Sequence, residues 1–304
     1  MSIAELESRE VQLETSGAGG GGLWADAWLR LKRNPGFWIG TGLVGFFILL
    51  ALLAPILAPY GPREQLGLSL SFDGPSAKHW AGLDELSRDE LSRLLWGARY
   101  SLLIGVVSVA VGLSLGLLLG ASAGYLGGWT DTVIMRSMDV MLSIPGFLMA
   151  VGIVALLGPG LWQIMVAVGV VNIPIFARLL RSSVLAQREN DFVLAARAIG
   201  VPRRTILSSH ILPNSISPVI VQGTLALATA IIDVAGLGFL GIGLQDPDET
   251  PEWGSMLTEV NEYLQTAPFL ALIPGAAIVV SVLGFNLIGD GLREALDPKL
   301  RGRG

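Results

Sequence analysis

Residues that commonly carry catalysis are scarce in this chain of 304 residues, which contains two histidines and no cysteine. The lack of cysteine excludes a disulfide framework, a thiolate metal site and a catalytic thiol. His79 and His210 are predicted to lie in different compartments, so neither a histidine metal cluster nor a Ser-His-Asp set is expected. The sequence also has no G-x-x-x-x-G-K-[ST] loop, which would cradle nucleotide phosphates. We therefore expect no catalysis, no metal and no bound cofactor in this chain.

Asp233 is the polar residue whose position points most directly to a function, because it is the only charge between Arg204 and Asp246. A charged side chain at the centre of a bilayer costs roughly 2.5–3.5 kcal/mol on insertion scales. This isolation favours a pore-lining or gating role, while a structural hydrogen bond to a neighbouring helix and a proton relay remain open. We also assign Asn172 to the predicted pore lining, which is the path that a substrate would take. An amide inside a span, however, more often bonds neighbouring helices together.

The stretch Asp191–Pro213 is predicted to form two short helices that could dock into a groove of another protein. Asp191 is a plausible N-cap, and Gly200 is placed to end the first helix in a left-handed conformation. The second helix is expected to begin at Pro202 and to stop before Pro213. Its predicted docking face comprises Phe192, Ala195, Ala196 and Ile199, and we add Leu194, Arg203, Arg204 and His210 as further contact candidates. The alternative is an ordinary solvated loop of a membrane protein.

The composition identifies lipid as the solvent for much of the chain. Hydrophobic residues make up 52% of the sequence and charged residues 15%, with a mean hydropathy of +0.61. A soluble domain carries about 25% charged residues. The net charge of −5 argues against a nucleic-acid partner.

Apolar stretches of sufficient length, uncharged except for Asp233, predict six transmembrane spans. They are 37–58, 101–122, two helices within 140–177 separated by the turn Gly158-Pro159-Gly160, about 215–243 and about 269–289. With both termini in the cytosol, 15 of the chain's 20 Lys and Arg residues lie inside, which favours this orientation.

These spans divide the chain into four parts. Residues 1–22 are predicted to form a disordered tail rich in Glu and Gly, and residues 23–65 a helix on the membrane surface followed by the first span. Residues 66–100 are an extracytoplasmic loop, in which Ser87 and Glu90 could form a capping box. Residues 101–304 are predicted to contain five further spans, with a long cytosolic loop at 183–213.

A row of glycines in the second span predicts a close helix–helix contact. Gly112, Gly116 and Gly120 repeat every four residues, and Gly124 continues the row. Glycine at this spacing lets another helix approach backbone to backbone.

The stretch Leu194–Pro213 resembles the coupling-loop motif of binding-protein-dependent ABC importer permeases. That motif is Glu-Ala-Ala, three residues, Gly, nine residues and Ile-x-Leu-Pro. Ala195, Ala196, Gly200, Leu212 and Pro213 match it, whereas Leu194 replaces the Glu and His210 the Ile. Four further stretches resemble the C-type permease of the dipeptide/oligopeptide branch, namely 53–60, 82–89, 238–243 with Trp253-Gly254, and 286–298.

This resemblance implies an all-α integral membrane protein with the type I ABC importer permease fold, N-in/C-in. It further implies half of a pore in the prokaryotic cytoplasmic membrane, paired with a homologous second permease as a heterodimer. The other implied partners are two cytosolic ATPase subunits, which use ATP and Mg, and an extracytoplasmic peptide-binding protein. The cargo would be di- or oligopeptides, with nickel chelates or opines as alternatives.

Two functions from other classes fit the sequence less well. An ion-coupled secondary transporter would need inverted repeats and usually several buried carboxylates, whereas this chain has one deep carboxylate. A membrane scaffold without a transport role would leave Asp233 and the two predicted short helices of Asp191–Pro213 unexplained.

Overall fold

The computed structural model describes residues 23–67, 70–244 and 250–296, and the regular elements within these residues are helices. The predicted acidic tail 1–22 lies outside the described residues. In chain order the helices are α1 (Leu23–Arg33), α2 (Pro35–Leu57), α3 (Glu90–Leu126), α4 (Gly128–Leu142), α5 (Gly146–Leu157), α6 (Leu161–Arg188), α7 (Asp191–Ala198), α8 (Arg203–Thr205), a π-helical turn (Ile206–Ile211), α9 (Leu212–Ser215), α10 (Ser217–Phe239), α11 (Trp253–Val260) and α12 (Phe269–Leu296).

Five of these helices, α2, α3, α6, α10 and α12, are long and apolar enough to cross a membrane. The pair α4 and α5 passes the same test together but is bent by 91°, and it makes the sixth crossing if it counts as one span. With this pair counted as one span, the prediction of an all-helical membrane protein with six spans is confirmed. The third of these spans is broken into two helices.

The third span differs from its prediction, which placed the first of two helices within 140–177. Helix α4 begins at Gly128, and the chain breaks at Ser143–Pro145 before α5 starts. Pro145 disfavours helical backbone at the residue before it, which explains why the helix cannot continue through Ile144.

Helix α3 begins eleven residues before its predicted span, at Glu90. Its 37 residues correspond to about 55 Å, longer than the hydrocarbon core of a bilayer. The predicted capping box of Ser87 and Glu90 is wrong, because the Asp89 carboxylate accepts a hydrogen bond from the Ser92 amide at 2.8 Å instead. Ser87 has φ +58 and belongs to the preceding turn.

The glycine row of α3 lies against α6 at backbone distance. A Cβ atom added at Gly112 would be 2.6 Å from the Gly169 carbonyl oxygen, and one at Gly120 would be 2.4 Å from that of Ala177. Cβ atoms at Gly116 and Gly124 would lie 2.9 and 3.0 Å from the carbonyl oxygens of Ile173 and Arg181 of α6. Because these helices touch along about three turns, they form the rigid centre of the bundle.

A cluster of buried charges joins the loop before α3 to the short helix α11. Arg88 and Arg93 are both 1% exposed, and each donates to Glu259 of α11, at 2.9 and 2.7 Å respectively. Arg88 also donates to Asp84 at 2.5 Å. Burial raises the pKa of Glu259, while the two arginines act in the opposite direction. These contacts fix α11 against the start of α3 and the loop before it.

Two residues of the segment that resembles the permease branch explain why α11 packs so closely. Trp253 is fully buried, and its indole nitrogen donates to the Leu94 carbonyl at 3.1 Å, beside Gly97. A Cβ atom at Gly254 would lie 2.3 Å from the Ala235 carbonyl oxygen. Only glycine at position 254 permits this contact with α10.

The two chain ends of the described bundle meet at one end of the molecule. Ala27 and Leu31 of α1 are buried with Ala295 of α12, and the Asn34 amide donates to Glu294 at 2.6 Å. This contact agrees with an even number of crossings between α2 and α12.

Candidate functional site

Helix α7 follows α6 after two residues and starts the coupling segment, residues 191–213. Asn190 is the N-cap and Asp191 is the first helical residue, so the prediction of Asp191 as N-cap is shifted by one position. The Val193 and Leu194 amides donate to the Asn190 carbonyl, at 2.9 and 3.2 Å. The segment is thus held on a short, ordered connection to a transmembrane helix.

Helix α7 has one buried and one exposed apolar face. Val193 and Ala196 are buried in the same core cluster as Val184 near the end of α6. Phe192 is 40% and Ile199 82% exposed, and Ala195 is exposed as well. The predicted docking face is corrected at Ala196, which points inward because its position on the helix lies beside Val193 rather than beside Ala195.

Gly200 has φ +80 and ends α7 in the left-handed conformation that the sequence predicts. The Gly200 amide donates to the Arg197 carbonyl and the Val201 amide to the Ala196 carbonyl, both at 3.0 Å. This pair of bonds is the Schellman motif. No described atom lies within 4 Å of a Cβ added at Gly200, so the requirement for glycine here is conformational rather than steric within the described residues.

The second helix of the segment does not stop before Pro213, which corrects the prediction. Helix α8 continues into the π-helical turn, in which the Leu212 amide donates to the Leu207 carbonyl. Helix α9 then carries Pro213 in its first turn, where a missing amide donor costs nothing. His210 lies in the π-helical turn with a buried Nδ1 that has no hydrogen-bond partner within the described residues.

The remaining predicted contact residues lie on the surface of the segment. Leu194 is 50% exposed, and Arg203 and Arg204 are exposed. The Tyr125 hydroxyl at the end of α3 donates to the Arg203 carbonyl at 2.7 Å. This bond ties the second helix of the segment to the rigid centre of the bundle.

Asp233 lies on a partly open side of α10. It is half-buried and makes no hydrogen bond or ion pair within the described part of the chain, next to the exposed Ile232. Thr229, one turn before Asp233, is exposed. Gln222 lies seven residues before Thr229 and therefore on the same side of the helix. We call Gln222, Thr229 and Asp233 the polar line of α10. Sequence reasoning missed its first two members, although their spacing of seven and four residues was a usable signal.

Asn172 does not share this open side, and its assignment to a substrate path is corrected. The residue is 4% exposed, and its amide donates to the Val168 carbonyl of its own helix at 2.8 Å. A Cβ added at Gly112 would lie 2.7 Å from the Asn172 Cβ. Asn172 therefore belongs to the contact between α3 and α6.

Two ion pairs connect the broken third span to α6, and the sequence did not reveal them. The Arg181 guanidinium binds both carboxylate oxygens of Asp131, one at 2.6 Å, and Arg178 binds Asp139. A local pair of Arg136 and Asp139 is also present but exposed, at 3.7 Å. Asp131 thus helps to orient α4 through its contact with α6.

The described residues contain no group of three or more His, Cys, Asp or Glu side chains that could hold a metal ion. The site is therefore a surface segment and a polar helix side, rather than a cluster of reactive groups.

The comparisons with known proteins agree with this architecture. The model of the family described as binding-protein-dependent transport system inner membrane component matches residues 116–302. A second model, the N-terminal transmembrane domain of oligopeptide transport permease C, matches residues 22–72. Fold and matches together define a multi-pass permease of the inner membrane. The chain belongs to the binding-protein-dependent transport system inner membrane component family.

Curated relatives are similar over nearly the whole chain. The dipeptide transport system permease protein DppC of Alkalihalophilus pseudofirmus is 47% identical over 91% of this chain and 90% of its own length. The di/tripeptide transport system permease protein DppC of Pseudomonas aeruginosa is 44% identical, covering 90% and 91%. The glutathione transport system permease protein GsiD of Escherichia coli is also 44% identical, covering 92% and 91%.

Among solved structures, an inward-facing MetNI methionine ABC transporter matches with a TM-score of 0.55. The match covers 67% of this chain and 96% of the other at 20% identity. It confirms the expected type I ABC importer permease fold.

Proposed function

We propose that this chain forms half of the translocation pore of an ATP-driven importer of short peptides. The other half would be a homologous second permease. Two cytosolic ATPase subunits and an extracytoplasmic peptide-binding protein would complete the complex. ATP and Mg would be used by the ATPase subunits, and this chain would be a non-catalytic subunit.

The observation that carries the proposal is the two-faced structure of α7. Its buried face, Val193 and Ala196, packs into the same core as the end of α6, while Phe192 and Ile199 remain exposed. A large apolar side chain that is 82% exposed on an ordered helix favours contact with another protein. Because the buried face of α7 packs into the bundle, a displacement of this helix would be transmitted to the transmembrane helices.

The polar line of α10 is the proposed surface of the translocation path. Gln222, Thr229 and Asp233 lie on one side of a span whose one charged residue is Asp233, and Asp233 has no partner within the described residues. A carboxylate in a membrane span needs either water or a partner. A pore shared with a second permease supplies the water, and the bound ammonium group of a peptide could supply the charge.

The substrate class is taken from the relatives. Their names cite dipeptides, di/tripeptides and glutathione, which is itself a tripeptide. Short peptides are therefore the preferred cargo, ahead of nickel chelates and opines. The test is uptake of a labelled dipeptide by cells that contain the whole complex, in competition with unlabelled tripeptides, glutathione and a nickel chelate. Competition by the nickel chelate alone would refute the peptide assignment.

The coupling role is tested with two matched variants on α7, Ile199→Glu and Leu194→Glu. Both positions hold exposed aliphatic side chains, at 82% and 50%, but they lie on different sides of the helix. Ile199→Glu places a charge in the proposed contact face and is expected to lower ATPase retention and peptide-stimulated ATP hydrolysis at least tenfold. Leu194→Glu restores the Glu that the family motif carries at this position, on another side of the helix from Ile199, and should therefore leave both quantities at or above the wild-type level.

The measurements are subunit retention on purification and ATP hydrolysis in reconstituted membranes with binding protein and peptide. Equal and full activity of the two variants would refute the docking face. Equal loss in both would show that a charge anywhere on α7 disrupts the segment, and would remove the assignment of the contact to Phe192 and Ile199.

A further inference from the structure

A cavity of about 530 Å³ opens at the end of the bundle that carries the coupling segment. It lies between the last turns of α3 and α6 and the coupling segment. Its lining includes three arginines, one carboxylate and one phenol: Arg188, Arg197, Arg203, Glu189 and Tyr125. Phe192 and Ile199 do not line this cavity, and Arg197 lies on the opposite side of α7 from them. Arg203 is the one lining residue that is also a candidate ATPase contact.

The charges in the cavity are not balanced within the described residues. Arg188 lies 3.5 Å from Glu189 and also donates to the Gly124 carbonyl at 3.4 Å. Arg197 and Arg203 form no ion pair with any described residue. Two guanidinium groups thus remain available at one concave site, and a guanidinium binds phosphate oxygens through paired N–H donors.

The rim of the cavity faces an apolar environment on one side. Leu126 lines the cavity and is 67% exposed, and Trp129 in the first turn of α4 is 81% exposed. Exposed tryptophan at the end of a transmembrane helix is typical of the level of the lipid head groups. The cavity therefore combines a basic interior with an apolar border at the predicted cytosolic surface of the bilayer.

We propose that this cavity binds the phosphate head group of an anionic phospholipid of the cytosolic leaflet. Arg197 and Arg203 would bind the phosphate, and the acyl chains would leave past Leu126 toward the bilayer. The volume of about 530 Å³ is in the range of small-ligand sites and accommodates a phosphoglycerol head group. Basic pockets between transmembrane helices on the cytoplasmic side are suited to such lipids. The apolar border favours a lipid over a soluble phosphate.

The test uses the complete transporter complex, purified and reconstituted in nanodiscs of phosphatidylcholine with graded amounts of phosphatidylglycerol or cardiolipin. Bound lipid is counted by native mass spectrometry after release from the nanodisc. Arg197→Gln is expected to weaken binding of the anionic lipid about fivefold, and Arg197→Gln with Arg203→Gln about 25-fold. Arg136→Gln is the matched control, because Arg136 is an 81% exposed arginine of α4 that does not line the cavity. It removes the same charge and should leave lipid retention unchanged.

Three outcomes would overturn the proposal. Equal lipid retention in Arg197→Gln, Arg136→Gln and the unchanged protein would show that the cavity holds no lipid. Displacement of the lipid by millimolar inorganic phosphate or glycerol phosphate would identify a site for soluble anions. Loss of the ATPase subunits from Arg197→Gln at unchanged lipid occupancy would identify the cavity as a protein contact. Selective loss of anionic lipid in Arg197→Gln, with the ATPase subunits retained, supports the proposal. The double variant is read for lipid occupancy alone, because Arg203 is also a candidate ATPase contact.

Discussion

The contact between α3 and α6 makes a quantitative prediction about Gly120. A Cβ at this position would lie 2.4 Å from the Ala177 carbonyl oxygen, about 1 Å closer than an ordinary carbon–oxygen contact. The obstacle is backbone, so no side-chain rotation relieves it, and the two helices must separate locally. Overpacking of this kind costs about 1–3 kcal/mol.

The same substitution also has a favourable part. Replacing glycine by alanine inside a helix gains about 0.5–1 kcal/mol. Taking the upper part of the overpacking range, because the obstacle is backbone, Gly120→Ala should be destabilised by about 2 kcal/mol. The apparent melting temperature of the purified protein should then fall by roughly 4–8 °C.

Two matched variants separate close packing from glycine substitution in general. At Gly105, on the same helix, the added Cβ meets the Ile231 side chain at 3.2 Å, which can move. At Gly45 of α2, no described atom lies within 4 Å. We therefore expect the stability order Gly120→Ala, Gly105→Ala, Gly45→Ala, from lowest to highest.

The assay is thermal unfolding in detergent, followed by size-exclusion chromatography of the heated samples. Adding Ala177→Gly to Gly120→Ala should not restore stability, since the obstructing carbonyl oxygen remains in place. The reasoning is refuted if the three single variants melt at the same temperature.

Three further predictions concern orientation, the polar line and the end of α7. Cysteines at Ser208 and Glu262, both exposed, should react from opposite sides, so that an impermeant maleimide on intact cells labels only Glu262→Cys. Asp233→Asn should preserve the yield of assembled complex but lower peptide uptake at least tenfold, measured with labelled dipeptide, because the charge is unpaired within the described residues. Gly200→Ala should cost roughly 1–2 kcal/mol through its φ of +80, whereas Gly200→Asn should be tolerated, as judged by melting temperature.

Each of these predictions has an outcome that contradicts it. Labelling of Ser208→Cys from outside would reverse the orientation. Normal uptake by Asp233→Asn at normal yield would remove Asp233 from the translocation path. Equal stability of Gly200→Ala and Gly200→Asn would show that the left-handed conformation at this position carries no cost.

The sequence alone determined the class of the protein and the order of its spans. The reason is that a bilayer demands about 20 consecutive apolar residues for a crossing helix, a signal that is local in the chain. The conformation of Gly200 was predictable for the same reason, because helix termination depends on a few neighbouring residues. Both inferences need no knowledge of which helix lies beside which.

Only the tertiary structure decided which side chains are available for contact. Ala196 and Ala195 are adjacent and chemically identical, yet one is buried against the bundle and the other is exposed. Asn172 and Asp233 are both polar residues in spans. Asn172 packs closely against Gly112 of α3, whereas Asp233 remains on an open side of α10. The pairing of Asp131 with Arg181 and of Glu259 with Arg88 and Arg93 joins residues far apart in the chain. Burial and ion pairing at these positions depend on how helices cross, and helix crossing is a property of the assembled bundle rather than of any local stretch.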